Sequence, residues 1–226
     1  MKNQIGNYLI LSLLILMLTS CKKDGAVTRG KIVHKTVNEE YVLIQDVEEL
    51  RSSNDPISAY INSIIDAAVN TEVTISTGLH GLDIDADNQP DISFEIIDLR
   101  PLNPQGLPAY FDHLAASAKP HSIQILDNST YGYPDALTTD DLIDANGNWR
   151  EQHGVLGTFA NAGQFQAKGD RYLGFRMPNG TDFKYGWIKL NCSAHNDTLK
   201  VLEYAYNDVV GIAIKAGEKE TTTVAN

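Results

Sequence analysis

Turn-forming residues recur at short, even intervals through the second half of this 226-residue chain, and that spacing constrains the fold more than any other feature. Gly132, Pro134, Asn146-Gly147, Gly154, Gly157, Gly163, Gly169, Asn179-Gly180 and Asn196-Asp197 separate segments rich in β-branched and aromatic residues. Those segments are Val155 to Phe159, Arg171 to Arg176, Gly186 to Cys192, Thr198 to Tyr206 and Gly211 to Ile214. Runs this short suit strands, and turns this frequent join antiparallel neighbours. The pattern predicts a mainly β chain, an antiparallel β-sandwich of jelly-roll type. Asn179-Gly180 between two aromatic segments predicts a hairpin, and Asn146-Gly147 predicts another.

The first half is less regular. Ile32 to Val37 and Tyr41 to Ile44 read as a hairpin with Asn38 near its turn. Asp55-Pro56 has the form of a helix start, an Asp cap before a first-turn Pro. Ile57, Tyr60, Ile61, Ile64, Ile65 and Ala68 then recur at helical spacing, which predicts a short N-terminal helical insertion. Val73 to Ser76, Ser93 to Ile97 and Ser122 to Leu126 read as strands, Arg100 to Pro108 as a loop and Tyr110 to Ala118 as a short helix. The expected organisation is a leader over residues 1–20, a tether over 21–30, one sandwich domain over 31–217 and a polar tail over 218–226.

At the N-terminus, Lys2 precedes an apolar run from Tyr8 to Leu18 that only Ser12 interrupts. A permanent membrane span needs about 20 apolar residues, so the run fits a signal segment better. Leu18-Thr19-Ser20-Cys21 follows, and the whole resembles a bacterial lipoprotein signal with its lipobox. The resemblance implies cleavage before Cys21, lipidation of Cys21 and a stable membrane anchor, since more than one acyl chain holds a protein firmly. Lys22-Lys23-Asp24 resembles the surface-export tag of lipoproteins from the Bacteroides–Flavobacterium group, with fewer acidic residues than usual. It implies an outer-membrane location, facing the periplasm or the cell surface. Asp197-Thr198-Leu199 resembles that group's O-glycosylation acceptor.

Removing the first 20 of 226 residues leaves 206, enough for one sizeable core, and removing Lys2 takes the formal charge from −11 to −12. Such a chain is a poor partner for nucleic acid, whose phosphates need Lys and Arg. It is a better partner for divalent cations. The chain has two Cys. Lipidation of Cys21 leaves Cys192 without an intrachain partner. Alternation over Ile188 to Ser193 places Cys192 on an apolar face, as a small buried hydrophobe and not a catalytic thiol.

The strongest chemical motif runs from Asp83 to Asp91. Asp83, Asp85, Asp87 and Asp91, with the Gln89 carbonyl, occupy the spacing that lets a curling loop wrap a Ca²⁺ ion in hard oxygen ligands. Asn88 stands where such loops need a left-handed residue. Phe94 stands where a helix–loop–helix site has its bidentate Glu, so the loop is a truncated one running into a strand. The expected cofactor is one structural Ca²⁺. A solvated acidic turn is the alternative. Asp140, Asp141, Asp144, Asn146 and Asn148 form a weaker second stretch.

The order of this Asp-rich stretch, Trp149, Tyr172 to Arg176, Tyr185 to Ile188, Tyr204 to Tyr206 and Gly211 to Gly217 resembles a β-rich exported protein type found among PEP-CTERM-sorted bacterial surface proteins. The resemblance covers residues 80–217 and implies an extracellular β domain. It carries over no catalytic residue. The chain departs from the type with a lipobox in front and no hydrophobic sorting helix behind.

The six His show no paired metal-ligand spacing, and neither a nucleophile elbow nor a Gly-rich phosphate loop occurs. His80 beside the acidic loop reads as an exposed His or an extra ligand. Trp149 and Trp187 are the candidates for stacking a sugar ring, against an ordinary role in strand packing. The leading expectation is a non-enzymatic binding or adhesion module whose partner is a glycan or a surface protein. The alternatives are a glycan-active enzyme or its carbohydrate-binding accessory, and a purely structural envelope component.

Overall fold

The computed structural model describes residues 30–42, 71–101, 114–158 and 163–220. Cys21, the leader and the predicted helix over residues 55–68 lie outside the described residues.

Two antiparallel sheets face each other. The larger runs in spatial order β1 (Ile32–Val42), β13 (Thr198–Asn207), β12 (Asp182–Cys192), β11 (Gly169–Asn179), β6 (Gln124–Asp127) and β9 (Asn148–Arg150), with β7 (Ala136–Leu137) also against β11. The smaller runs β10 (Gly154–Thr158), β5 (Leu114–Pro120), β4 (Ile92–Pro101) and β2 (Thr71–Ser76), with β3 (His80–Leu82) also against β4. Strand alternation decides what lies between them. Phe94 and Ile96 of β4, Ala116 of β5 and Leu156 of β10 pack with Leu173 and Phe175 of β11, Ile188 and Leu190 of β12 and Val201 of β13. Each large side chain withdrawn there contributes about 1.5–3 kcal/mol. Cys192 belongs to this core at 1% exposure, as its place in the alternation predicts.

A second apolar cluster covers the opposite face of the large sheet. The two-stranded pair β8 (Leu142–Ile143) and β14 (Ile214–Lys215) brings Ile143, Ile214 and Ala216 onto Tyr172, Tyr185 and Trp187. The covering segment approaches closely at Gly217, whose φ is +82° and where a Cβ would sit 2.9 Å from the Tyr172 hydroxyl. Glu218 and Lys219, expected to open the tail, are tied to the sheet: the Glu218 carbonyl accepts from Trp187 Nε1 at 3.1 Å and Lys219 Nζ lies 2.6 Å from Glu203.

Three local readings are corrected. Residues 32–42 form one strand, not a hairpin. Thr36 pairs with Glu203 and Glu39 with Val201, so Val37 and Asn38 bulge opposite Leu202. Asn38 takes φ 58°, a left-handed value that Asn tolerates, and this serves a bulge here where a turn was expected. Residues 114–118 are strand β5, not helix. Ala is the best helix former, but here its small side chain lets a central strand pack between β4 and β10 with both faces buried. Asn146-Gly147 is a turn but not a hairpin, because β8 before it pairs with β14 and β9 after it pairs with β6. The Asn179-Gly180 hairpin forms. Asn179 pairs with Asp182, leaving Gly180 at φ 66° as the first central residue of a two-residue turn.

Candidate metal centre

The loop between β3 and β4 is built around its own carboxylates. Asp83 Oδ1 accepts the amides of Ala86 (2.8 Å) and Asp87 (3.2 Å), and its Oδ2 accepts the Asn88 amide (2.9 Å). Asp91 Oδ2 accepts the amides of Ile84 (2.8 Å) and Asp85 (3.3 Å), while its Oδ1 accepts the Ser122 hydroxyl. The curl requires left-handed backbone at Asn88 (φ 68°), as the motif predicts, and also at Ala86 (φ 66°). An L-residue with a Cβ in that region costs about 1–2 kcal/mol, so the surrounding bonds must hold Ala86 there.

One residue fixes this loop to the core. Ile84, the one branched aliphatic side chain between Asp83 and Asp91, is 3% exposed and packs among the core residues. Its carbonyl accepts the hydroxyl of Tyr204 from β13 at 3.2 Å, so a strand of the large sheet holds a loop of the small one. The acidic loop marks Tyr204 in return. Burial, with Tyr206 and the charges of Asp83, Asp91 and Asp85, pushes its hydroxyl up to about 12.

Asp83, Asp85 and Asp91 each present an oxygen within 4.8 Å of the others, and three carboxylates so placed can hold a metal ion. Asp91 is buried at 5% exposure, Asp83 is half-buried and Asp85 is exposed. Local desolvation, then the like charge of Asp91, raises the Asp85 carboxyl above its usual range. The Asp87 amide opposes this, and the charges of Asp87 and Asp83 add to it. A cation among them reverses that repulsion. The donors are hard oxygens, which suits an oxygen-seeking cation.

Asp87 stands apart from this group, with its Oδ1 accepting the Gln89 amide at 2.7 Å. Gln89 thus serves the curl through its N–H. His80 is also elsewhere. Its ring stacks on Tyr41 of β1 at 4.0 Å, and its Nε2 lies 3.1 Å from the Thr77 carbonyl. Ile84, Ser122 and Tyr204 were not readable as parts of this site. Only the lone aliphatic at Ile84 in an acidic run gave a signal.

The second acidic stretch is turn chemistry. Asp141 Oδ2 accepts the amide and hydroxyl of Thr138, and Asp144 Oδ1 accepts the Asn146 amide. The two tryptophans differ in accessibility. Trp187 is fully buried, edge-on to Tyr172 at 5.1 Å. Trp149 is half-buried, with the Arg176 guanidinium 5.0 Å from its ring centre and Tyr185 packed at 5.9 Å.

No protein-family model, curated protein or solved structure matches the chain.

Proposed function

We propose that this chain is a lipid-anchored protein of the outer membrane, a non-enzymatic binding or adhesion module whose Asp83–Asp91 loop holds one structural Ca²⁺. The anchor rests on the lipobox residues ending in Cys21. The ion rests on one observation above all: three carboxylates converge on a loop whose Ile84 is inserted in the core and hydrogen-bonded to the opposite sheet. An ion there ties the loop's curl to the packing of both sheets. Ca²⁺ fits best because it takes six to eight hard oxygen ligands in flexible geometry, and the triad contains neither a thiolate nor an imidazole. Backbone carbonyls and water would complete the shell.

The burial of Trp187 takes that ring out of a sugar-stacking role and favours the non-enzymatic reading over the glycan-active alternative, whereas Trp149 is half-buried between Arg176 and Tyr185. The partner of the module is proposed as a glycan or surface protein.

A thermal melt in Ca²⁺ and in EDTA tests the ion. At about a hundredfold excess over Kd, linkage supplies about 2.7 kcal/mol, which raises the midpoint by about 5–10 °C in a domain of this size. The Asp85→Ala variant should lose that shift. Equal midpoints in Ca²⁺ and EDTA for the unaltered chain would overturn the assignment. Palmitate labelling of the expressed protein, lost in Cys21→Ser, tests the anchor separately.

A further inference from the structure

A cavity of about 590 Å³ opens where the start of β1, the turn before β8 and the segment around β14 meet, and it shares no residue with the acidic loop. Its size lies within the roughly 300–1,000 Å³ typical of small-molecule sites. Ile32, Leu142, Ile212 and Ala213 supply apolar lining. Leu142 is 58% exposed, whereas its neighbour Ile143 and its partner strand's Ile214 are almost completely buried. Leu142 is itself part of the cavity lining, so its exposed side chain extends the apolar wall formed with Ile32, Ile212 and Ala213.

The polar groups at this cavity set the head group. Lys215 Nζ faces Asp140 Oδ1 at 3.8 Å, with both side chains more than half exposed. Glu218 Oε2 accepts the Lys215 amide at 3.0 Å. A carboxylate ligand meets two acidic side chains and a lysine already facing one of them. A cationic ligand must compete with that lysine. A hydroxyl or amide can bond to either member of the pair while leaving it intact.

We propose that this cavity binds an uncharged amphiphile, its aliphatic body against Ile32, Leu142, Ile212 and Ala213 and its hydroxyl or amide head at Asp140 and Lys215. The test is a fluorescence titration of the full chain with the neutral probe N-phenyl-1-naphthylamine, followed by competition with octanol and with octanoate. Saturable binding is expected. Ala213→Trp, which fills the cavity, and Leu142→Asp, on an exposed side chain that folding does not need buried, should each weaken it by at least about tenfold. Leu79→Asp, at an exposed leucine outside the cavity, should leave it unchanged. Octanol should displace the probe at a concentration about tenfold lower than octanoate. Unchanged binding in both cavity variants would overturn the site, and equal displacement by octanoate would overturn the uncharged head group. EDTA should leave the titration unaffected, which separates this site from the acidic loop.

Discussion

The hydroxyl of Tyr204 donates to the carbonyl of Ile84 at 3.2 Å, joining two sheets across 120 positions of chain. Tyr204 is 2% exposed, so its partner carbonyl has no ready access to water. Tyr204→Phe keeps the ring and removes the donor. Leaving a buried acceptor unsatisfied costs about 1–3 kcal/mol. The expected outcome in urea denaturation is a lower midpoint with an unchanged slope. The Ca²⁺-induced rise in midpoint should also shrink, since the loop is then held less firmly. A Phe variant with full stability would show that the loop does not depend on this bond.

Asp85 and Asp91 should separate two roles of the acidic loop. Asp91 is buried and organises the loop through Ile84, Asp85 and Ser122. Hydrogen bonds to a charged group contribute about 1.5–3 kcal/mol each, so Asp91→Ala should destabilise the fold even in EDTA. Asp85 has an exposed side chain, and its carboxyl is raised first by local desolvation and then by the like charge of Asp91. Asp85→Ala should therefore leave the melt in EDTA unchanged or slightly higher, while abolishing the response to Ca²⁺. Calorimetric melts of both variants in each buffer check this. Equal behaviour of the two would mean that the triad has a single, purely structural role.

These residues also show where sequence reasoning works and where it stops. The alternation in β11, β12 and β13 is a local signal, and it identified the strands and the burial of Cys192. Spacing alone selected Asp83, Asp85 and Asp91. It also selected Asp87, because a period-two pattern does not reveal which of the carboxylates converge once the loop has curled. Residues 114–118 misled in the opposite way. An Ala-rich stretch has high helix propensity, and only the strands on either side of β5 decide against it. Tyr204 and Ser122 reach the acidic loop from distant parts of the chain, so no window of sequence contains them together with it. The tryptophans were legible as strand residues, but their burial depends on β8 and β14, whose pairing is non-local.

Cys192 offers a direct probe of the core. It is 1% exposed, and burial pushes its thiol up to about 12. A thiol in that state is protonated and shielded at pH 8, while the unfolded thiol titrates near its ordinary value of about 8.5. Ellman's reagent should leave Cys192 unmodified in the native protein and react within minutes in guanidinium chloride. In intermediate denaturant the labelling should follow the same transition as circular dichroism. Fast labelling of the native protein would place Cys192 outside the core. The assay needs a Cys21→Ser background, in which Cys192 is the sole thiol.

Acid sensitivity should arise from charges across the large sheet. Glu203 of β13 is bonded to Lys219 at 2.6 Å and to His34 of β1 at 2.9 Å, and it lies 3.8 Å from Lys189 of β12. Lys189 in turn lies 2.9 Å from Asp170 of β11. Burial raises the Glu203 carboxyl, but the bonds from Lys219 and His34 and the nearby lysine charges outweigh it, so the net shift is downward. The Asp170 carboxyl is also held low, first by the Asn191 bond and then by Lys189, against partial burial. A carboxyl depressed in the folded state stabilises the fold above its unfolded pKa, about 4.3 for Glu and 3.9 for Asp, and loses that contribution as pH falls through the folded value. The contribution of these two groups should therefore be constant above about pH 5 and decline below about pH 4. Asp170 is almost half exposed, so solvent screening leaves Glu203 as the larger contributor. Glu203→Gln should lower stability at pH 7 and flatten the decline between about pH 4 and pH 2, while Asp170→Asn should change the profile less. Urea melts across this range, repeated in high salt to screen the exposed pair, would decide it. An acid decline in Glu203→Gln as steep as in the unaltered chain would assign the effect to other carboxylates.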